Sequence, residues 1–264
     1  MQLRTVTATR YVTPLREGGS LPAIVEADDL GLYVVKFRGA GQGVLALTAD
    51  LIGCELARAL GLLVPDVVCV DVDPALGRNE PDYEIRELLQ KSTGINLGID
   101  YLPGSFMFDA AARLFPDAAA AADIVWLDAF ITNVDRTARN PNLLWWHRKL
   151  YCIDHGAALY FHYNWTGFGA IHEAALSPFA PIRQHVLLPH ASSIVDAAAR
   201  LTPRINPDVL TGILDAVPDE WLLPEPDAPT PQEKRALYVE FFLRRLESAS
   251  IFTEEAERAR TQLI

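Results

Sequence analysis

Asp135 and Asn140 stand five residues apart in the run N-V-D-R-T-A-R-N-P-N-L-L (133–144), and a second carboxylate, Asp154, follows fourteen residues later in L-Y-C-I-D-H-G. Asparagines and charges at this density ordinarily mark a solvated turn. Here the polar run sits between the apolar segment I-V-W-L-D-A-F-I (124–131) and L-L-W-W-H-R-K-L-Y-C-I-D-H-G, which reads as two short strands. A polar loop held between apolar elements, with a carboxylate returned by a hairpin, fits a site better than a surface tip. The residue types suit phosphoryl transfer from ATP. That chemistry needs one carboxylate to orient a hydroxyl and accept its proton, and an amide oxygen with a second carboxylate to hold Mg²⁺ on the phosphates. It also needs a lysine on the α/β phosphates and a glutamate to fix that lysine.

Two residues in the front half break their own patterns in the required way. In L-Y-V-V-K-F (32–37) a period of two places Leu32, Val34 and Lys36 on one face, so Lys36 continues an apolar row. A strand-end lysine reaching water gives the same pattern. In the helical segment A-L-T-A-D-L-I-G-C-E-L-A-R-A-L-G (46–61), Ile52, Glu55, Leu56 and Ala59 share a stripe, which turns Glu55 toward a packing face. A buried Lys36–Glu55 ion pair is the expectation, because such a pair is costly to desolvate and so hints at function. Asp128 lies on a similar inward stripe with Ile124, Leu127 and Ile131. It reads as a structural acceptor for backbone donors or for an arginine of the following loop.

The elements that must position these groups form an α+β chain. Residues P-A-I-V-E-A-D-D-L-G-L-Y-V-V-K-F (22–37) read as two strands joined at Ala27–Gly31. A helix with Thr48 as N-cap and Gly61 as its stop follows, then a strand in V-P-D-V-V-C-V-D-V (64–72), a short helix near 81–92 and an extended segment near 94–105. From Phe106 the sequence turns helical, with F-D-A-A-A-R-L-F, A-A-A-A-D-I-V-W-L-D-A-F-I, S-I-V-D-A-A-A-R-L, P-D-V-L-T-G-I-L-D-A-V and Q-E-K-R-A-L-Y-V-E-F-F-L-R-R-L-E-S. A β-rich front and a helical back predict two lobes, residues 1–103 and 104–264.

Composition removes several alternatives. A net charge of −11 argues against a broad nucleic-acid-binding face, which needs clustered Lys and Arg. The most apolar run carries Asp123 and Asp128 and is too short to span a bilayer. The opening M-Q-L-R-T-V-T-A-T-R-Y-V has no apolar core of a signal peptide, and Cys54, Cys69 and Cys152 are widely spaced and odd in number. A cytoplasmic protein with buried thiols is the expectation. Four of the six histidines (His155, His162, His172, His185) crowd the segment after Asp154, but their spacings match no zinc pattern.

Lys36, Glu55, Asp135, Asn140 and Asp154 follow the chain order of the functional groups of protein kinases. V-V-K-F, N-V-D-R-T-A-R-N-P-N-L-L and C-I-D-H-G resemble the HipA family of serine/threonine kinases, in a compact form, and the order of lobes extends the resemblance over nearly the whole chain. D-R-x-x-x-N with I-D-x-G is also similar to phosphoinositide lipid kinases, which share that atypical kinase fold. The resemblance implies that Asp135 is the catalytic aspartate, Asn140 and Asp154 are Mg²⁺ ligands and Lys36 is the ATP lysine. It implies ATP and Mg²⁺ as cofactors, a protein Ser/Thr acceptor, and a small antitoxin-like partner. Two features depart from the pattern. R-E-G-G-S-L-P (16–22) is the only glycine-bearing candidate for a phosphate loop, through Gly18, Gly19 and Ser20; Ser20 resembles the serine that HipA kinases autophosphorylate, and a plain tight turn is the alternative. Position 137 is Thr where relatives often carry His. Arg136 and Arg139 stand near the phosphates or the acceptor, with an Asp128 salt bridge as the alternative for Arg136. A small-molecule phosphotransferase and a nucleotide-binding pseudokinase or regulatory subunit are the rival readings.

Overall fold

The computed structural model describes residues 3–15, 21–78, 80–164 and 167–263. Gly18, Gly19 and Ser20 therefore lie outside the described residues. Strands β1 (Thr5–Pro14), β2 (Ala23–Ala27), β3 (Leu32–Lys36), β4 (Val67–Val72) and β5 (Gly94–Asp100) close into a barrel in the order β1-β2-β3-β5-β4. Only the β1–β4 contact is parallel. The β2–β3 hairpin turns at Ala27–Gly31 as the sequence predicts, with Leu30 in a left-handed conformation at φ 63°. Alternation sends Val25, Tyr33, Val35 and Val70 into the barrel interior, where they form their own small core.

Helix α1 (Gly43–Ala59) starts five residues earlier than Thr48. Thr48 is not its cap; its hydroxyl donates to the Val44 carbonyl at 2.9 Å inside the helix. The apolar residues Val44 and Leu47 gain by being wound in, because both bury against the larger core. The helix ends where expected, at Gly61 with φ 82°, a conformation that glycine adopts without a Cβ clash. Residues 47–57 are buried all round, so α1 belongs to the larger core although it precedes β4 in the chain. Helix α2 (Tyr83–Lys91) is capped by Asp82, which accepts from the Glu84 and Ile85 amides.

The second half is organised on α3 (Ala118–Phe130), capped by the Asp117 carboxylate at the Ala119 amide. The sequence also predicts a helix over F-D-A-A-A-R-L-F, but only a three-residue helical turn, Ala110–Ala112, forms there. Arg113 leaves it at φ 55°, and the three alanines of the turn are exposed, so little burial supports a longer helix there. A three-stranded sheet in the order β6-β7-β8 follows, from β6 (Phe106–Met107), β7 (Leu143–Trp146) and β8 (Lys149–Cys152). Helices α4 (Phe168–Ala175), α5 (Ile194–Leu201), α6 (Pro207–Asp215), α7 (Pro231–Glu247) and α8 (Ala249–Thr261) complete this half, with α5 and α8 packed on α3 and with α4 and α6 packed on α7. Trp126 stacks on Phe130 with centroids 5.4 Å apart, and both rings meet Phe252 of α8. Each such buried ring contributes about 1.5–3 kcal/mol over exposure. Buried Arg245 donates to the carbonyls of Ala129, Phe130 and Ala175 at 2.6, 2.7 and 3.0 Å. It thereby satisfies helix-end acceptors that burial would otherwise strand. No helix among the described residues is long and apolar enough to cross a membrane.

Candidate active site

The polar loop between α3 and β7 is built on one buried carboxylate. Asp128, fully buried in the last turns of α3, receives Arg136 Nε at 2.5 Å, Asn133 Nδ2 at 2.9 Å and His185 Nε2 at 2.9 Å. Burial works to raise its pKa, but Arg136 and then His185 outweigh that and hold the carboxyl below its ordinary range. This is the structural role expected of Asp128, and it places Arg136 in the foundation of the loop. The Arg136 guanidinium also donates to the carbonyls of Asn142 and Ile153, tying both ends of the β7–β8 hairpin to α3. The predicted arginine contact was legible in the sequence; the part of His185 was not, because His185 comes from a segment far along the chain.

On this base the loop carries its chemistry outward. The Asp135 amide donates to Asn133 Oδ1 at 3.2 Å, and Asn140 Nδ2 donates to Asp135 Oδ2 at 2.7 Å. Thr137 braces the loop, with its amide on the Asn140 carbonyl at 3.0 Å and its hydroxyl accepting from the Asn140 amide at 3.3 Å. Three non-glycine residues around the loop are left-handed: Thr132 at φ 56°, Asn142 at φ 50° and Asp154 at φ 52°. For β-branched Thr132 this is a true outlier, and strain of about 1–3 kcal/mol is maintained only where surroundings over-determine it. The sharp turn after β8 thus occurs at Asp154 itself. Gly156 serves by its size: a Cβ there would come within 3.3 Å of Asp154 Oδ1.

Lys36 reaches this loop from the barrel. Its Nζ lies 2.6 Å from Asp154 Oδ1 and 2.6 Å from Asp50 Oδ2, the latter an ion-pair contact without hydrogen-bond alignment. Burial lowers the affinity of the amine for its proton, but Asp154 and Asp50 together overcome this and hold the ammonium above its ordinary pKa. Lys36 therefore turns inward with Val34, as the strand pattern suggests, and both line one cavity. The expected partner is corrected. Glu55 does not meet Lys36; it pairs with Arg58 of its own helix at 3.4 Å, and burial raises its pKa. Asp50 and Glu55 are five residues apart on α1, which separates them by about 140° around the axis. Only Asp50 faces the barrel lysine. Asp50 also accepts from the His155 amide at 2.7 Å, so one buried carboxylate holds both the lysine and the residue next to Asp154. Gly53 lets α1 approach this closely, since a Cβ there would sit 2.4 Å from His155 Cβ.

Asp50, Cys54 and His155 bring potential metal-ligand atoms within 4.8 Å of one another. The ammonium of Lys36 already supplies the positive charge there, and burial holds the Cys54 thiol well above its ordinary pKa, hence protonated. The other histidines after Asp154 disperse to separate partners: His162 to Tyr238, His172 to Glu240 and His185 to Asp128.

The cavity has a volume of about 910 Å³ and is lined by Lys36, Ile99, Tyr101 and Leu102 together with Arg139, Asn140, Leu144, Ile153 and Asp154. Thr13, Pro14, Leu15 and Pro22, which flank the glycine-bearing segment, line it too, and the Leu15 amide meets the Pro22 carbonyl at 2.7 Å. Asp135 is not one of its lining residues; it is hydrogen-bonded to Asn140, which is.

A profile of the HipA-like kinase family matches residues 9–255. The chain belongs to the HipA-like kinase family. Its fold is similar to that of the Helicobacter pylori proinflammatory kinase CtkA, with 15% identity, a TM-score of 0.55, and coverage of 98% of this chain and 99% of that one. No curated protein sequence matches the chain. Membership supports phosphotransfer as the class of activity, and the mixed α+β architecture agrees with the fold expected of the family.

Proposed function

We propose that this HipA-like kinase is a two-lobed, ATP- and Mg²⁺-dependent enzyme that phosphorylates a Ser or Thr hydroxyl of a protein. The barrel half and the helical half (1–103 and 104–264) would close on the nucleotide between them. The observation that carries the reading is the convergence of Lys36, Asn140 and Asp154 on one cavity, with Asp135 hydrogen-bonded to Asn140. A cavity of this size accommodates a nucleotide. Leu102 lines it, and its amide has no acceptor among the described residues, so it would be the donor to a purine ring nitrogen in this reading.

The residues fit Mg²⁺. Asn140 commits its Nδ2 to Asp135, which leaves Oδ1 without a partner among the described residues, and Asp154 commits only Oδ1 to Lys36. Two hard oxygen donors lining a polar cavity suit a cation that keeps most of its waters. When bound, the ion would neutralise phosphate oxygens of the nucleotide. Lys36, steadied from behind by Asp50, would hold the α/β phosphates by charge-assisted hydrogen bonds. Asp135, its Oδ2 pinned by Asn140, would orient the acceptor hydroxyl through its other oxygen and take the proton. Arg139, exposed at the cavity, would meet the γ-phosphate or acidic groups near the acceptor. Gly18, Gly19 and Ser20 belong to the segment whose flanks line the cavity, and in this reading they cover the phosphates.

The test is incubation of the purified protein and its Asp135→Asn variant with Mg-ATP and a proteome extract, followed by phosphosite mapping. New phosphoserine or phosphothreonine with the native protein alone supports the reading. Phosphate found only on small molecules would replace it by small-molecule phosphotransfer, and none at all by a nucleotide-binding regulatory role.

A further inference from the structure

A second cavity, of about 650 Å³, lies on the opposite face of the three-stranded sheet from the nucleotide cavity. Period-two alternation divides the sheet between them. Phe106 of β6, Trp145 of β7 and Leu150 of β8 face the second cavity, while Met107, Leu144 and Ile153 face the first. Anything seated in the second cavity therefore packs on the back of the hairpin that joins Asn140 to Asp154.

Its walls are apolar and its rim is open. Ile124 of α3 and Trp145 form part of the floor. At the rim Phe106 is 56% exposed and Leu114 is 45% exposed, with Phe115 and Leu63 also exposed. Contiguous exposed apolar residues beside a concavity mark interaction surfaces rather than ordinary solvent-facing scatter. The charged residues are arranged asymmetrically. Asp117 lines the cavity, but its carboxylate caps α3 by accepting from the Ala119 amide at 3.1 Å. Arg148 and Lys149, at the β7–β8 turn, are exposed and form no ion pair among the described residues. In a chain of net charge −11, two unpaired cations against one helix-capping carboxylate leave this groove a net positive rim, which selects an anionic partner and localises it there.

We propose that this groove docks a short apolar protein segment bearing Asp or Glu beside its hydrophobic residues. The apolar side chains enter between Phe106, Phe115 and Trp145, and the carboxylates meet Arg148 and Lys149. The open rim favours a peptide over a small amphiphile, because small-ligand sites bury most of their ligand. The proposal is independent of the phosphotransfer reading: it needs no nucleotide and touches none of the residues assigned to transfer.

The experiment selects a displayed random dodecapeptide library on the wild-type protein and measures enriched peptides by fluorescence polarisation. Ala120→Trp fills the groove from α3, and Arg148→Glu with Lys149→Glu reverses its charge. The expected result is enrichment of sequences combining Leu, Phe or Trp with Asp or Glu. Binding should be lost in Ala120→Trp and weakened by about tenfold or more in the charge-reversed protein, with the charge effect shrinking at high salt. Both variants should keep the wild-type thermal midpoint and Mg-ATP affinity, which separates lost docking from lost folding. No enrichment, or peptides that bind both variants as well as wild type, overturns the proposal. So does groove occupancy by a fluorescent long-chain fatty acid without peptide binding, or a wild-type dimer in sedimentation that Ala120→Trp abolishes.

Discussion

Replacing Asp50 by Asn tests whether the lysine of the proposed nucleotide cavity is held from behind by α1. Asp50 is fully buried, lies 2.6 Å from Lys36 Nζ and accepts the His155 amide at 2.7 Å. The amide retains the shape but removes one of the two negative charges beside a buried ammonium. Removing one partner of a buried pair costs about 3–5 kcal/mol. Lys36 keeps Asp154, so the lower end applies, about 3 kcal/mol, or about 6–12 °C in thermal midpoint for a chain of this size. With its rear anchor gone, Lys36 is drawn fully onto Asp154 and phosphates must compete for it, a loss of positioning that outweighs the removal of one negative charge behind the lysine. Mg-ATP affinity should fall by about tenfold, equivalent to about 1.4 kcal/mol. Glu55→Gln is the control on the same helix. Its partner Arg58 is 37% exposed in its side chain, so that pair contributes only about 0–1 kcal/mol, and Mg-ATP affinity should stay unchanged. Urea unfolding and isothermal titration calorimetry give both quantities. Glu55→Gln weakening nucleotide binding as much as Asp50→Asn would refute the assignment of Asp50, as would an Asp50→Asn protein with wild-type affinity.

Asp135→Asn should abolish single-turnover phosphotransfer while leaving Mg-ATP affinity close to wild type, because the change removes a proton acceptor outside the set that holds phosphates; retained transfer would take that role from Asp135. ATP should raise the thermal midpoint much more with Mg²⁺ than with EDTA, and Asp154→Asn should erase the Mg²⁺-dependent part; equal stabilisation with and without metal would reject Asp154 as a ligand. His162 is buried, and burial with nearby Lys234 depresses its pKa to about 3, whereas in the unfolded chain it titrates near 6.5. The unfolded state therefore takes up a proton that the folded state refuses, so this contribution is complete above about pH 6.5 and is lost as pH falls toward 3. His162→Gln should flatten the decline of unfolding free energy between pH 6 and 4.5 by up to about 1.4 kcal/mol per pH unit, and an unchanged slope would contradict neutral burial.

The grouping of the loop residues was readable because they lie close in sequence. Asp135, Asn140 and the hairpin to Asp154 span twenty residues, and their local turns are written in Asn, Asp and Gly. The strand lysine was readable for a related reason: a charge in a period-two apolar row has to be explained wherever the strand goes. The acid opposite it was not. Periodicity ranks helix faces only when one face is wet, and α1 is buried on all sides from Leu47 to Ala57. Asp50 shares a stripe with Cys54 and Ala57 as good as the one Glu55 shares with Ile52 and Leu56. Deciding between them required the barrel to be placed against the helix. Likewise, His185 could be counted among crowded histidines but not assigned to Asp128, because their contact joins residues 57 positions apart.

The charges around the proposed nucleotide cavity bear on how it would accept a polyphosphate. Lys36 is already flanked by Asp50 and Asp154, so its positive charge is balanced before any phosphate arrives. Arg139 is the other cation among the described lining residues. Against these two stand Asp154 and Asp100 on the cavity wall, Asp50 behind Lys36 and Asp135 on Asn140. Two cations against four carboxylates leave a site that repels a bare triphosphate, and a low local dielectric strengthens that repulsion. A polyphosphate arriving with a divalent cation reverses the balance, because the same carboxylate that repels phosphate attracts the ion. In the proposed enzyme, metal dependence would thus begin at nucleotide binding, before any transfer, and would follow from the placement of Asp50 and Asp154 on either side of one lysine.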